Sequence, residues 1–511
     1  MKFARVQSAH VSLLKPYIVD IETDITRGLH TFSIVGLPDK GIDEARDRVS
    51  AAIKHSGFKS PKQKNEKVII SLAPAHIKKE GSGFDVGIAL SYLLATEEIE
   101  FNPKGKIFVG ELALDGSVRP IRGMLPLAEY AKSKDIEEIY VPFENAAEAA
   151  LIEGIDIYAI KNFKELLKHL NTKEIEGWES KKIESLEPTE ITLKDVSVSI
   201  DMGDIKGQEI AKRALEIAAA GGHNICMFGP PGTGKTMLAK AFAGILPNLS
   251  RDEMLKVTGI HSISGTLDHH LITNPPFRSP HHTASYVSIV GGGSNPRPGE
   301  VTLAHKGVLF LDEFPEFDRK VIESLRQPLE DHVVTVARAR GTVEFPAHFI
   351  LIAAMNPCPC GYRGSKTKEC KCSARDLLKY ERKISGPIID RVDMWVEVDE
   401  IPHKKLLDDS ENENTSEKTR KSIEKTRKIQ HERYGKQITN SELSSKQIQN
   451  YIKLSASVRE LLELSAKKLE LSPRAFHRVM KLSRTIADLE ESKEIDEKHI
   501  LEALQYRPRL S

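Results

Sequence analysis

The sequence predicts a multidomain α/β protein built around a phosphate-binding domain, and three observations predict that class. With 511 residues, the chain is too long for one ordinary hydrophobic core. The motif GPPGTGKT, at residues 229–236, follows an apolar run typical of a buried strand and opens a helical pattern. Strand-like and helical runs alternate before residue 170. The patterns near the end of the sequence are all helical, at 445–451, 455–469, 472–489 and 496–505.

The phosphate loop consists of Gly229, Pro230, Pro231, Gly232, Thr233, Gly234, Lys235 and Thr236. Glycines let backbone N–H groups approach a phosphate chain closely, and the first amides of the following helix add further donors. We expect Lys235 to contact the outer phosphates and Thr236 to hold a magnesium ion. The motif therefore predicts ATP and Mg²⁺ as cofactors.

Two further apolar runs end in polar residues. GVLFLDEF places Asp312 and Glu313 after one run, and HFILIAAMNP places Asn356 at the end of the other. Open α/β sheets bind ligands at the carboxyl edge of their strands, so we expect these side chains beside the phosphate loop. Asp312 suits a Mg²⁺ ligand, either directly or by holding another ligand of the ion, and Glu313 suits the base that orients the attacking water. Asn356 suits a hydrogen bond to that water or to the γ-phosphate, although Asn-Pro is also common in turns.

Two arginines complete the predicted catalytic set. Arg391 lies in SGPIIDRVDM, and in oligomeric ATPases an arginine in such a place contacts the γ-phosphate of the neighbouring subunit. A residue acting in trans requires a ring or a filament. Arg474 lies near the start of the helical pattern SPRAFHRVMKL, from which it is expected to contact phosphate.

The cysteines indicate a metal site. Four of the five lie within one stretch, at Cys358, Cys360, Cys370 and Cys372. Four thiolates at this spacing suit tetrahedral zinc, although the two CxC pairs are tighter than the usual CxxC. The histidines between 258 and 300 have no neighbouring cysteine, so we expect them in a hydrogen-bonded loop.

Composition and charge limit what can be predicted about the partners and the location of the protein. The formal net charge of +1 argues neither for nor against a nucleic-acid partner. No apolar run approaches the roughly 20 residues of a membrane span. The first 20 residues lack the continuous apolar core of a signal peptide, so we expect a cytoplasmic protein that does not associate with membranes.

The first 170 residues form a separate α+β or α/β domain in this interpretation. Segments 78–95, 110–131 and 139–149 resemble the proteolytic domain of Lon proteases. Gly83 stands where that family has its nucleophilic serine and Leu125 where it has its lysine, so the resemblance implies the fold without peptidase chemistry. A shifted register would instead make Ser82 and Lys79 the pair.

The phosphate loop, GVLFLDE, the strand ending in Asn356, SGPIIDR and the SPRA helix together resemble the magnesium-chelatase-like branch of the AAA+ ATPases. FRSPHHT at 277–283 and GGGSNPRPGEVTLAHKGVLFLDE at 291–313 are similar to the narrower YifB/ComM family. The resemblance covers essentially the whole chain. It implies a three-layer α/β/α AAA+ P-loop core, a Lon-like N-terminal domain and an all-α C-terminal lid. It also implies a homo-hexameric ATPase that binds DNA and drives branch migration during natural transformation.

A hairpin is predicted between the second and third apolar runs, from VVTVA and TVEF, with Arg338 and Arg340 at its turn. In related ring helicases a hairpin in this place projects into the central channel, where positive side chains contact phosphates. We therefore expect both arginines to bind single-stranded or branched DNA, the alternative being ordinary solvated arginines.

These inferences define four predicted segments: a Lon-like domain at 1–170, a linker at 171–194, an ATPase domain at 195–400 and a helical lid at 401–511. The leading functional hypothesis is an ATP-dependent DNA motor that performs branch migration. The alternative is a chelatase-type ATPase that remodels a protein partner. Gly83 and Leu125 argue against an ATP-dependent protease, and the complete hydrolysis set argues against a non-enzymatic DNA-binding scaffold.

Overall fold

A computed structural model describes residues 2–12, 14–176, 178–191, 200–293, 296–338, 341–365, 367–401 and 415–508. The chain divides into two compact units. The N-terminal unit comprises Met1–Leu193 and Met254–Ile272, and the C-terminal unit comprises Lys194–Glu253 and Thr273–Ser511. The four predicted segment boundaries stay predictions.

The N-terminal unit is organised around a mixed seven-stranded sheet. The strands of this unit are β1 (Lys2–Ser12), β2 (Lys15–Arg27), β3 (Thr31–Val35), β4 (Glu66–Ala73), β5 (Lys106–Phe108), β6 (Glu111–Leu112), β7 (Val118–Arg119), β8 (Glu138–Pro142) and β9 (Asp156–Ile160). The order is β3-β4-β2-β1-β5-β8-β9, and β6 and β7 form a separate ribbon. Strand β2 pairs antiparallel with β1 and β4, and the other neighbours are parallel.

Helices of the N-terminal unit pack on this sheet through apolar faces. They are α1 (Lys40–His55), α2 (Asp85–Ala95), α3 (Met124–Lys132), α4 (Phe143–Ala149) and α5 (Phe163–Leu170). Local sequence explains where two of them begin, because the side chains of Asp39 and Asn162 accept hydrogen bonds from first-turn amides of α1 and α5. Helix α2 is almost wholly buried, and its Asp85 is paired with Arg48 at 2.7 Å. The predicted alternation of strands and helices is confirmed, whereas the Lon likeness stays a prediction.

The C-terminal unit contains a parallel sheet of five strands in the order β11-β14-β17-β10-β18. The strands of this unit are β10 (Ile225–Phe228), β11 (Phe277–Arg278), β12 (Gly291–Gly292), β13 (Arg297–Pro298), β14 (Val308–Leu311), β15 (Val333–Arg338), β16 (Gly341–Pro346), β17 (Ile350–Met355) and β18 (Met394–Glu397). The three central strands are apolar and buried, as expected for parallel strands covered on both faces. Their carboxyl ends therefore lie side by side.

Helices complete the C-terminal unit, and α8 leads from it into the N-terminal unit. They are α6 (Glu209–Gly221), α7 (Lys235–Ile245), α8 (Arg251–Ser264), α9 (Tyr286–Val290), α10 (Glu300–Leu303), α11 (Arg319–Ser324), α12 (Arg326–Asp331), α13 (Ala374–Glu381), α14 (Gly386–Ile389), α15 (Ser416–Tyr434), α16 (Ser445–Tyr451), α17 (Ala456–Lys468), α18 (Pro473–Leu489) and α19 (Glu497–Gln505). Ser444, Ser455 and Ser472 cap α16, α17 and α18 with side-chain hydrogen bonds. The predicted α/β core and the helical C-terminal region are confirmed. Among the described helices, none has both the length and the apolar character that a membrane crossing requires.

Candidate active site

The phosphate loop connects β10 to α7, and its backbone conformation requires glycine at three positions. A Cβ atom on Gly229 would lie 2.2 Å from the carbonyl oxygen of Val398, so only glycine allows this backbone approach. Gly232 and Gly234 have φ angles of +79° and +89°, which side-chain-bearing residues rarely adopt. The loop therefore directs the first amides of α7 toward the carboxyl edge of the sheet.

Lys235 occupies the centre of this loop. Its Nζ donates hydrogen bonds to the carbonyl oxygens of Gly229 and Pro230, each at 2.8 Å, and lies 3.5 Å from Asn356 Oδ1. Burial lowers the pKa of Lys235, and the nearby Asp312 carboxylate opposes that shift. The structure thus brings together the two residues predicted to contact the outer phosphates, Lys235 and Asn356.

Thr236 and Asp312 meet directly across the sheet edge. The Thr236 hydroxyl donates a hydrogen bond of 2.8 Å to Asp312 Oδ2. A hydroxyl and a carboxylate are hard oxygen donors of the kind that Mg²⁺ prefers, and Mg²⁺ sites next to phosphates commonly use one or two protein ligands. The residues present therefore fit the predicted magnesium site.

Glu313 follows Asp312 and has a partner that the sequence did not reveal. Its φ angle is +51°, a left-handed backbone conformation that is costly for a residue with a side chain. His282 Nδ1 lies 3.1 Å from Glu313 Oε2. The histidine comes from the FRSPHHT segment, for which the sequence predicts only a hydrogen-bonded loop.

Asn356 follows β17 and is held from a second direction. The Tyr380 hydroxyl on α13 donates a hydrogen bond of 3.1 Å to its carbonyl oxygen. The asparagine therefore has a fixed backbone while its side-chain oxygen faces the Lys235 ammonium.

Arg391 and Arg474 form a second cluster. Both guanidinium groups pair with the carboxylate of Glu330 on α12, and Arg391 Nη1 also donates a 2.8 Å hydrogen bond to the Pro387 carbonyl. Burial alone would raise the pKa of Glu330, but the two arginines lower it below its ordinary value. Within the described ranges, no hydrogen bond or ion pair joins either arginine to residues 229–236. Sequence patterns carry no signal for Glu330.

The four clustered cysteines converge as well. Cys358 Sγ lies 3.3 Å from Cys360 Sγ and 3.7 Å from Cys370 Sγ, and all four sulfur atoms lie within 4.8 Å of one another. Tetrahedral Zn²⁺ with Zn–S bonds of about 2.3 Å separates its sulfurs by about 3.8 Å. Backbone hydrogen bonds from Tyr362 and Lys371 lower the pKa of Cys360 to about 6, which favours a thiolate. The donor set therefore fits zinc.

Arg338 and Arg340 are predicted to lie at the turn of a hairpin. Strands β15 and β16 pair antiparallel from Val333↔Pro346 to Arg338↔Gly341, which is the predicted hairpin. Arg338 ends β15, whereas Arg340 lies outside the described residues, so contact with DNA stays a prediction.

The Ser82 and Lys79 side chains in the N-terminal unit bond to different partners. Ser82 donates to Glu111, and the buried Lys79 ammonium donates to the Pro74 carbonyl. These bonds argue against a serine–lysine dyad.

Comparison with known proteins agrees with this geometry. Models of the family described as magnesium chelatase, subunit ChlI, match residues 21–145 and 201–406, and the model of its C-terminal region matches 413–507. The fold and the matched segments define a magnesium-chelatase-like AAA+ protein.

Individual relatives narrow that class. The chain is 40% identical to the competence protein ComM of Haemophilus influenzae, over 99% of this chain and 98% of ComM. It is 38% identical to YifB of Escherichia coli, over 96% and 94% of the two chains. The DNA replication licensing factor Mcm6 of Drosophila melanogaster is 23% identical over 58% of this chain and 34% of its own. The chain belongs to the YifB/ComM family.

Proposed function

We propose that the chain hydrolyses ATP and uses the energy to move branched DNA, as a motor for branch migration during natural transformation. The observation that carries the ATPase part is the convergence of Lys235, Thr236, Asp312, Glu313 and Asn356 at one edge of a parallel sheet. The proposal that the chain acts on DNA is supported by the names of two relatives. ComM is a competence protein, and Mcm6 is a DNA replication licensing factor.

Each residue of the phosphate site has a proposed role. The loop amides and Lys235 bind the β- and γ-phosphates, and Thr236 and Asp312 would hold Mg²⁺, which neutralises phosphate charge when bound. Glu313 accepts a proton from the attacking water and orients it, with His282 positioning the carboxylate. Asn356 hydrogen-bonds the water or the γ-phosphate.

Arg391 is proposed to act between subunits, and Arg474 is proposed to contact phosphate from the C-terminal helical region. Among the described residues, Arg391 is paired with Glu330 and has no bond to its own phosphate loop, which supports delivery of its guanidinium to the nucleotide of a neighbouring chain. An arginine supplied in this way is worth about 10³–10⁵ in turnover. The proposal therefore requires an assembly, for which a homo-hexameric ring is the expected form.

The β15–β16 hairpin is proposed as the DNA-contacting element, through Arg338 and Arg340. Cations on such hairpins bind phosphates without reading bases, so the expected substrate is single-stranded or branched DNA of any sequence.

Because ATP and DNA meet in the cytoplasm of bacteria, we propose that the protein acts there. The cysteine cluster, Cys358, Cys360, Cys370 and Cys372, is proposed to bind one Zn²⁺.

The test is steady-state ATP hydrolysis by the purified chain, with no DNA and with single-stranded, duplex or four-way-junction DNA. Glu313→Gln is the inactive control. We expect stimulation by single-stranded or junction DNA.

A second candidate is the remodelling of a protein partner, which the match to magnesium chelatase subunits favours. Hydrolysis that is indifferent to every DNA would support this candidate and contradict the DNA motor.

A further inference from the structure

The loop that carries the four cysteines is described at residues 358–365 and 367–372, and we call it the cysteine loop. Its turn at Gly361 lies directly against the phosphate loop. Gly361 has a φ angle of +85°, and a Cβ atom built on it would lie 3.0 Å from Pro231 Cδ and 3.4 Å from Pro231 Cγ. The same atom would lie 3.9 Å from Asn356 Cγ. The Gly361 backbone therefore fits closely between a phosphate-loop residue and the asparagine at the end of β17.

The start of the cysteine loop is well anchored. It begins two residues after Asn356, the Cys358 side chain is fully buried, and Gly361 N donates to the Cys358 carbonyl at 3.0 Å. Arg363 N donates to Cys358 Sγ at 3.4 Å. These bonds fix the position of the turn at Gly361 relative to the cysteine sulfur atoms.

The middle of the cysteine loop is also connected to the phosphate loop, through hydrogen bonds to residues 399 and 400. Ser365 and Thr367 both donate hydrogen bonds to Glu400 Oε1, at 2.8 and 3.0 Å. The backbone carbonyl of the preceding residue, Asp399, accepts a 2.7 Å hydrogen bond from Gln208 Nε2, which also donates to the Thr233 carbonyl at 3.2 Å. The cysteine loop is thus connected both to Pro231 and, through Gln208, to Thr233.

We propose that the cysteine loop, closed by zinc, is a wall of the nucleotide site that fixes the position of Pro231 and Asn356. This inference rests on the ATP and zinc sites proposed above. A loop with little regular structure is entropically costly to hold in one conformation, and a metal bound by four of its residues removes that freedom. Nucleotide affinity should therefore depend on the loop backbone at Gly361 and on the metal.

Two glycines of the same loop provide a matched pair of variants. Gly361 and Gly364 have nearly the same φ angle, +85° and +83°, but a Cβ on Gly364 would meet no atom within 4 Å. Gly361→Ala and Gly364→Ala therefore impose similar backbone strain, and only the first crowds Pro231. We expect Gly361→Ala to weaken ATP binding about tenfold or more relative to Gly364→Ala, because overpacking a tight contact is costly.

A compensating variant separates this contact from general damage. Pro231→Ala removes the Cγ–Cδ bridge that the new methyl group would crowd. The double variant Gly361→Ala/Pro231→Ala should bind ATP more tightly than Gly361→Ala alone, and about as tightly as Pro231→Ala. Zinc content, measured by elemental analysis, should stay at one ion per chain in all of these variants.

The metal is tested with Cys360→Ser/Cys370→Ser, which removes two of the four proposed ligands. We expect loss of zinc together with at least tenfold weaker ATP binding. Equal ATP affinity of Gly361→Ala and Gly364→Ala, or undiminished affinity of the zinc-free variant, would overturn the inference. A wild-type chain that binds no ATP or no zinc would overturn the underlying site proposal instead, so the failures are distinguishable.

Discussion

Asp488 on α18 is a buried carboxylate whose removal should destabilise the C-terminal unit strongly. The residue is 1% exposed, and its oxygens accept hydrogen bonds from Arg433 Nη1 at 2.8 Å, Arg484 Nε at 3.0 Å and Asn440 Nδ2 at 3.0 Å. Asp488→Ala would leave two largely buried guanidinium groups without their counter-charge. The loss of unfolding free energy expected from breaking such a buried pair is about 3–5 kcal/mol.

The same helix matters for the proposed mechanism. Arg474 and Arg478 lie on successive turns of α18, and Arg478 donates hydrogen bonds to the carbonyls of Val392 at 2.8 Å and Asp390 at 2.6 Å. The backbone on both sides of Arg391 is therefore attached to α18. Asp488→Ala should consequently lower DNA-stimulated ATP turnover as well as stability.

Urea unfolding measured by tryptophan fluorescence provides the assay. Trp178 belongs to the N-terminal unit and the buried Trp395 to the C-terminal unit, so a Trp178→Phe background reports on the C-terminal unit alone. With a urea m value of about 3 kcal/mol per molar, Asp488→Ala should lower the midpoint by roughly 1–1.7 M. Glu417→Ala, which breaks an exposed pair with Lys421, is the matched control and should leave the midpoint unchanged. Similar midpoints for both variants would refute the reasoning.

Three further predictions concern the proposed catalytic residues Glu313 and Arg391 and the ion-pair partner Glu330. Glu313→Gln should reduce ATP turnover by about 10²–10⁴-fold while ATP binding, measured by calorimetry, is retained, because Glu313 orients water and does not hold phosphate; loss of binding would contradict that role. Arg391→Ala should lower turnover about 10³-fold or more, and mixing it with Glu313→Gln chains should restore some activity if the arginine acts in trans, whereas inactive mixtures would contradict it. Glu330 has a lowered pKa, so its stabilising contribution should be complete above its ordinary value of 4.5 and lost as the pH falls through the lowered value. The urea midpoint should therefore fall less between pH 6 and pH 3 in Glu330→Gln, and an identical fall would argue against the shared ion pair.

Local patterns predicted the parts of the site that depend on short stretches of chain. The phosphate loop is one contiguous segment, and the carboxyl ends of three buried parallel strands lie at the same edge of their sheet. The sequence therefore predicts that Lys235, Asp312 and Asn356 lie close together. The last four helices were predicted within one residue at each end, because serine caps on three of them and apolar spacing mark their limits.

Other features depend on distant pairings that a single sequence does not encode visibly. Glu330 meets Arg474 across 144 positions, and an isolated glutamate at the end of a short helix has no distinguishing pattern. The antiparallel strands β1 and β2 were not predicted, because their polar and apolar residues alternate only in part and no Gly-Pro turn separates them. The inclusion of Met254–Ile272 in the N-terminal unit follows from tertiary packing and has no marker in composition.

The most direct test of the central claim is a branch-migration assay on a synthetic four-way junction with homologous arms and one fluorescently labelled strand. The wild-type chain is supplied with ATP and Mg²⁺, with a non-hydrolysable ATP analogue, or without nucleotide, and Glu313→Gln is supplied with ATP. Conversion of the junction to labelled duplex products by the wild type with ATP alone is the result predicted here. Hydrolysis of ATP without any conversion, or equal conversion by Glu313→Gln, would contradict an ATP-driven DNA motor.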